Sequence, residues 1–88
     1  MPTYEISHKW KDADTKSVIA KVQGAIASAK NGQIPAGFRP ISIVGVPSAT
    51  EAHCMWEAPN AEGLEGLYQS IGLPTQRTIR EVTPFFTR

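Results

Sequence analysis

Between Tyr4 and Ala29 the apolar side chains change their period once, and that change commits the chain to a strand followed directly by a helix. From Tyr4 to Lys11 the residues alternate. Tyr4, Ile6, His8 and Trp10 fall on one side, and Glu5, Ser7, Lys9 and Lys11 on the other. A period of two among β-forming residues is that of a strand with one buried face. Beyond Asp12 and Asp14, either of which can cap a helix, the apolar positions become Val18, Ile19, Val22, Ala25, Ile26 and Ala29. That spacing is a single helical stripe. Asn31-Gly32 ends it, and Pro35 prevents its resumption.

The next segment, Phe38 to Val46, is rich in Ile and Val and lies between Gly37 and Pro47. Ser48-Ala49-Thr50 reads as a hairpin connection into a strand from Ala52 to Ala58. A second helix follows, with Asn60 as its N-cap and Glu62 in its first turn. Its stripe is Leu64, Leu67, Tyr68 and Ile71, and Gly72 with Pro74 stops it. Gly63 and Gly66 each cost a helix about 1 kcal/mol relative to alanine, so this one depends on packing. Gln76 to Pro84 completes the set as a strand of poor alternation. The order is βαββαβ.

In 88 residues that order has material for one domain, residues 1–88. The predicted class is α+β: a ferredoxin-like βαββαβ sandwich, with a four-stranded antiparallel sheet and both helices on one face. The first and third strands are then central neighbours. The face carrying Tyr4 and Trp10 meets the helices, and the Glu5, Ser7, Lys9 face stays uncovered. A chain this short buries only about 60–65% of its unfolded surface, so pairing as a homodimer is expected.

Composition removes several functions. Apolar residues make up 41% and charged residues 19%, as in a globular protein. A net charge of +1 gives no footprint for a polyanion. The third strand, Ala52 to Ala58, contains no Arg or Lys with which to hold RNA, so no nucleic-acid partner is expected. One cysteine excludes an internal disulfide framework, a multi-thiolate zinc module and a paired-cysteine copper carrier. No apolar run reaches the length of a membrane span or a signal peptide, so the expected location is cytoplasmic, with no membrane partner.

The chemistry concentrates on two strands. Pairing Tyr4–Trp10 with Ala52–Ala58 in the simplest register sets Ile6 near Trp56 and His8 near Cys54, and a two-residue slip would separate them. An imidazole beside a thiol can bind nickel, copper or zinc if a carboxylate, a dimer mate or an external ligand completes the set. The plainer role is packing, with Cys54 as a small hydrophobe beside a neutral, hydrogen-bonded His8. Tyr4, His8, Trp10, Cys54, Trp56 and Tyr68 are the candidate ligand-binding residues of a cleft between sheet and helices. His53, Met55 and Glu57, with Glu5 and Lys9, form a polar set on the uncovered face.

The stretch Cys54-Met55-Trp56-Glu57-Ala58-Pro59-Asn60, followed by Ile71-Gly72-Leu73-Pro74 and Ile79-Arg80-Glu81-Val82, resembles a family of small bacterial ferredoxin-like proteins, some described as nickel-binding. The matching positions are Cys54, Trp56, Glu57, Ala58, Pro59, Gly72, Pro74, Glu81 and Val82. A similar group of short proteins shares Trp10-Lys11, the Pro35-x-Gly37 turn and Thr83-Pro84. The resemblance implies a homodimeric ferredoxin-like fold, and the metal reading, nickel or copper at His8 and Cys54, rests on the residues themselves. The chain departs from the nickel-binding type in having only His8 near the first strand, and Leu73 where a histidine can stand. Two functions are carried forward. One is a homodimeric protein binding a small molecule or a transition metal. The other is a cofactor-independent oxygenase or isomerase of the dimeric α/β-barrel kind.

Overall fold

The computed structural model describes residues 1–85. Its elements are β1 (Thr3–Lys9), α1 (Thr15–Lys30), β2 (Arg39–Val46), β3 (Glu51–Glu57), α2 (Ala61–Ile71) and β4 (Gln76–Val82), with short 3-10 turns at Asp12–Asp14 and Pro47–Ala49. The strands form one antiparallel sheet in the order β2-β3-β1-β4. That is the ferredoxin-like arrangement, with the first and third strands at the centre. Among the described residues no helix is long and apolar enough to cross a membrane.

The two helices are terminated differently. In α2 the Asn60 side chain accepts a hydrogen bond from the Gly63 backbone N–H at 2.7 Å, and Gly72 ends the helix in the left-handed conformation, φ +67°. Gly63 is required there. A Cβ at that position would lie 2.9 Å from Phe38 Cζ and 3.0 Å from Asn60 Oδ1. Asp14 occupies the N-cap position of α1 but makes no side-chain capping bond. The start of α1 is tied down instead by Trp10, whose indole N–H donates to the Thr15 hydroxyl at 3.1 Å.

Ile6, Cys54, Trp56, Ala58, Leu64 and Tyr68 form the tightly buried centre, with Ile6, Ala58 and Leu64 at 0% exposure. The α2 stripe therefore packs as its spacing predicts. The α1 stripe does not. Only Val18 of α1 is buried; Val22, Ala25 and Ile26 are half-covered, and Ile19 is 39% exposed. The physical reason is that α1 stands away from the sheet, and its apolar stripe faces a gap.

The register differs from the simplest pairing by two residues. Ile6 lies opposite Cys54 and Tyr4 opposite Trp56, so His8 faces Ala52 rather than Cys54. A shift of two preserves which face each side chain occupies, so alternation along either strand carries no information about it. Trp10 lies beyond β1, and its backbone N–H donates to the Thr50 carbonyl at 3.1 Å. Thr50 follows the Pro47–Ala49 turn in the left-handed region, φ 51°.

Candidate functional site

The gap between α1 and the sheet is a cavity of about 740 Å³. Its α1 wall includes Val18, Ile19, Val22 and Ile26. The sheet wall is built from alternate positions of the helix-facing side: His8 and Trp10, then Ile43 and Gly45 of β2, and Ala52, Cys54 and Trp56 of β3. Tyr68 and Leu67 close it from α2, with Leu73 and Thr75 from the connection to β4. Five of the six residues expected from sequence to form a cleft line this cavity. The sixth, Tyr4, is buried in the core at 7% exposure and does not line it.

Three polar atoms of residues in this wall lie behind its surface, closed off from the cavity and without a hydrogen-bond partner among the described residues: His8 Nε2, Trp56 Nε1 and the Tyr68 hydroxyl. Each belongs to a residue no more than 5% exposed. Leaving such a group unsatisfied costs about 1–3 kcal/mol, so three in one place is a concentration that packing alone does not explain. The rings are in contact. Tyr68 meets His8 edge-to-face with centroids 4.9 Å apart, and meets Trp56 in the same manner at 6.4 Å.

The other side of His8 is firmly held. Its Nδ1 lies 3.0 Å from the Thr75 hydroxyl. Arg77 donates to that same hydroxyl at 3.1 Å and to the Leu73 carbonyl at 3.0 Å, both through Nη1. The rest of the guanidinium grips Glu65 in a two-pronged pair, Nε to Oε1 at 3.0 Å and Nη2 to Oε2 at 2.7 Å. Arg77 also sits 5.3 Å from the centroid of the Tyr68 ring.

The electrostatics keep the polar wall uncharged. Burial, helped by the Arg77 charge, lowers the His8 pKa to about 4, so the imidazole is neutral at physiological pH. Burial raises the Cys54 thiol to about 11, with a smaller opposing effect from the Tyr68 hydroxyl. Burial also pushes the Tyr68 phenol far upward, and the neighbouring Cys54 adds to it. Glu65 is held below the usual carboxylate range, first by its hydrogen bond from Arg77.

His8 and Cys54 therefore share a wall without forming a directly opposed pair. One imidazole nitrogen is engaged by Thr75, and the thiol resists ionisation. Among the described residues no group of three or more His, Cys, Asp and Glu side chains comes together. On the uncovered face the polar set divides into pairs: Glu57 with Arg39 at 2.6 Å, and Glu5 with Arg80. His53 is exposed there, away from the cavity.

Thr75 and Arg77 escaped the sequence reading. The available signal was Arg77 itself, which takes a helix-facing position of β4 opposite His8, where an apolar residue is ordinarily found. No family model, curated protein or solved structure matches the chain.

Proposed function

We propose that the protein binds a small, largely apolar molecule in the gap between α1 and the sheet. The observation that carries this reading is the cavity itself: about 740 Å³, walled mainly by aliphatic and aromatic side chains. Natural small-molecule sites have that size and that sparse polarity. A helix whose apolar stripe is left half-covered costs stability, and a ligand that fills the gap recovers that contact. The binding unit is a homodimer. Its support is the uncovered sheet face, where Val44 is 57% and Val46 40% exposed in a chain with a small core.

The test is titration with Prodan, an environment-sensitive naphthalene dye. Saturable binding with a blue-shifted emission is expected in the wild type, and its loss in Gly45→Leu. Gly45 lines the cavity, and a Cβ there meets nothing within 4 Å, so a side chain added at this position starts into open space. Equal binding by a folded Gly45→Leu protein would refute the reading.

One observation favours a second reading, a cofactor-independent enzyme such as an isomerase. His8 lines the cavity, is neutral and is held at Nδ1 by Thr75, so a side-chain movement that opened Nε2 to the gap would give an apolar site a proton-transfer group. Turnover that vanishes in His8→Gln while ligand binding persists would establish it.

A further inference from the structure

Among the described residues Lys21 is the only charged side chain that borders the cavity. No Asp, Glu or Arg lines the gap, and its histidine, His8, is neutral at physiological pH. The other polar side chains of the lining, such as Gln23, Gln33 and Ser70, carry no charge. The imbalance begins in the sequence. From Thr15 to Lys30, α1 contains Lys16, Lys21 and Lys30 and no acid, so no pairing within the helix can neutralise Lys21. Among the described residues no carboxylate from another element pairs with it either.

The fold holds this ammonium at the rim. Lys21 is exposed, yet it borders the gap and reaches from α1 to the end of α2, where Nζ donates to the Ile71 carbonyl at 3.3 Å. The last turn of α2 has no basic residue of its own, and Lys21 supplies the cation there. That contact uses one of three ammonium protons, and a helix terminus offsets only roughly half an elementary charge. Two protons and a surplus of positive charge are left beside an apolar gap. Gly72 keeps the space next to them open, since a Cβ there would stand 3.6 Å from Nζ.

We propose that the cavity takes an apolar molecule ending in a single negative charge, a carboxylic acid with an aliphatic or aromatic body, whose carboxylate is held at the rim by Lys21. The inference rests on the cavity being a ligand site and names the class of molecule that the site takes. The body covers Val18, Val22, Ile26 and Ile43, and the carboxylate stays at the solvent boundary, where it escapes the cost of full burial. An ammonium at that end is repelled, and an alcohol gains no ion pair. A phosphate monoester brings about 1.5 to 2 negative charges, more than one lysine neutralises.

Octanoate, 1-octanol and octylammonium share one chain and differ in the charge of its end, so calorimetric titration of all three at neutral pH and low salt tests the inference. Octanoate should bind at least about fivefold more tightly than octanol, the upper range for a partly exposed ion pair, and octylammonium more weakly than octanol. Added NaCl should weaken octanoate and leave octanol unchanged. Lys21→Gln, which keeps a donor for Ile71, should bring octanoate down to the level of octanol, and Lys21→Arg should keep the preference. Octanoate and octanol binding equally to the wild type, or Lys21→Gln weakening both alike, would overturn the anion inference and leave the ligand site standing. So would Prodan binding that Gly45→Leu abolishes, in a protein that takes up none of the three octyl probes. Failure of Prodan and of all three probes would overturn the ligand site and the inference with it.

Discussion

The ring of Tyr68 meets the imidazole of His8 edge-to-face, with centroids 4.9 Å apart and planes inclined at 75°. This contact joins α2 to β1 at the cavity wall. Together with the bond to Thr75 it leaves the imidazole one orientation. A histidine buried in that way beside the Arg77 charge resists protonation, and this gives the fold a defined response to acid.

Stability should fall as pH drops from about 6.5 to about 4 and then stop falling on account of this group. His8 has its pKa lowered to about 4 in the folded protein, against 6.5 when unfolded. Between those values the unfolded chain binds the extra proton, so the native state is penalised progressively, by about 3 kcal/mol in all. Arg77 from β4 and His53 from β3 oppose the charge, Glu65 from α2 favours it, and Tyr68 and Cys54 are neutral throughout that range. Urea unfolding at a series of pH values would show this slope in the wild type and a flatter profile in His8→Phe.

Truncations on the two helices should have unequal costs. Leu64 on α2 is fully buried, and Leu64→Ala should destabilise by about 3 kcal/mol. Ile19 on α1 is 39% exposed beside the cavity, and Ile19→Ala should cost less than about 1 kcal/mol. Chemical denaturation of both variants checks the difference. Similar losses would mean that α1 packs against the sheet in solution.

The two glycines inside α2 should respond in opposite directions to alanine. Gly66 is exposed with nothing within 4 Å of its would-be Cβ, so Gly66→Ala should stabilise by about 1 kcal/mol. Gly63→Ala should destabilise, because the new methyl meets Phe38 and the capping Asn60. Thermal melts of the pair would resolve the signs.

Cys54 should be a slow nucleophile. Raising its pKa from 9.0 to about 11 lowers the thiolate fraction at pH 8 by about a hundredfold, and burial at 5% exposure limits access further. Iodoacetamide should therefore modify the native protein at least about a hundred times more slowly than the urea-unfolded chain. A bound cavity ligand should slow it again.

Nickel or copper, titrated calorimetrically into wild type, His8→Ala and Cys54→Ser, should bind all three with equal affinity. His8 faces Ala52, its Nδ1 is engaged by Thr75, and the thiol is hard to ionise. Loss of binding in both variants, with the fold intact, would restore the metal site expected from an imidazole beside a thiol.

The period switch after Lys11, the Asn60 cap, the Gly72 stop and the element order were all readable from the chain, because each depends on residues a few positions apart. So was the facing of His8, Cys54 and Trp56, since alternation puts them on the helix-facing side, although the same alternation includes Tyr4, which lies in the core away from the cavity. Three things required the tertiary structure. The pairing of Ile6 with Cys54 is one of several registers that alternation treats as equal. The gap under α1 exists because its stripe meets no opposing apolar surface, and an isolated helical stripe looks the same whether it covers a core or a cavity. In the Arg77–Thr75–His8 chain the contact between Thr75 and His8 spans 67 residues of sequence, a distance at which no local pattern reports a hydrogen bond. Local spacing decides the elements and their faces, whereas the hydrogen bonds and empty space that give the site its chemistry arise only when those faces meet.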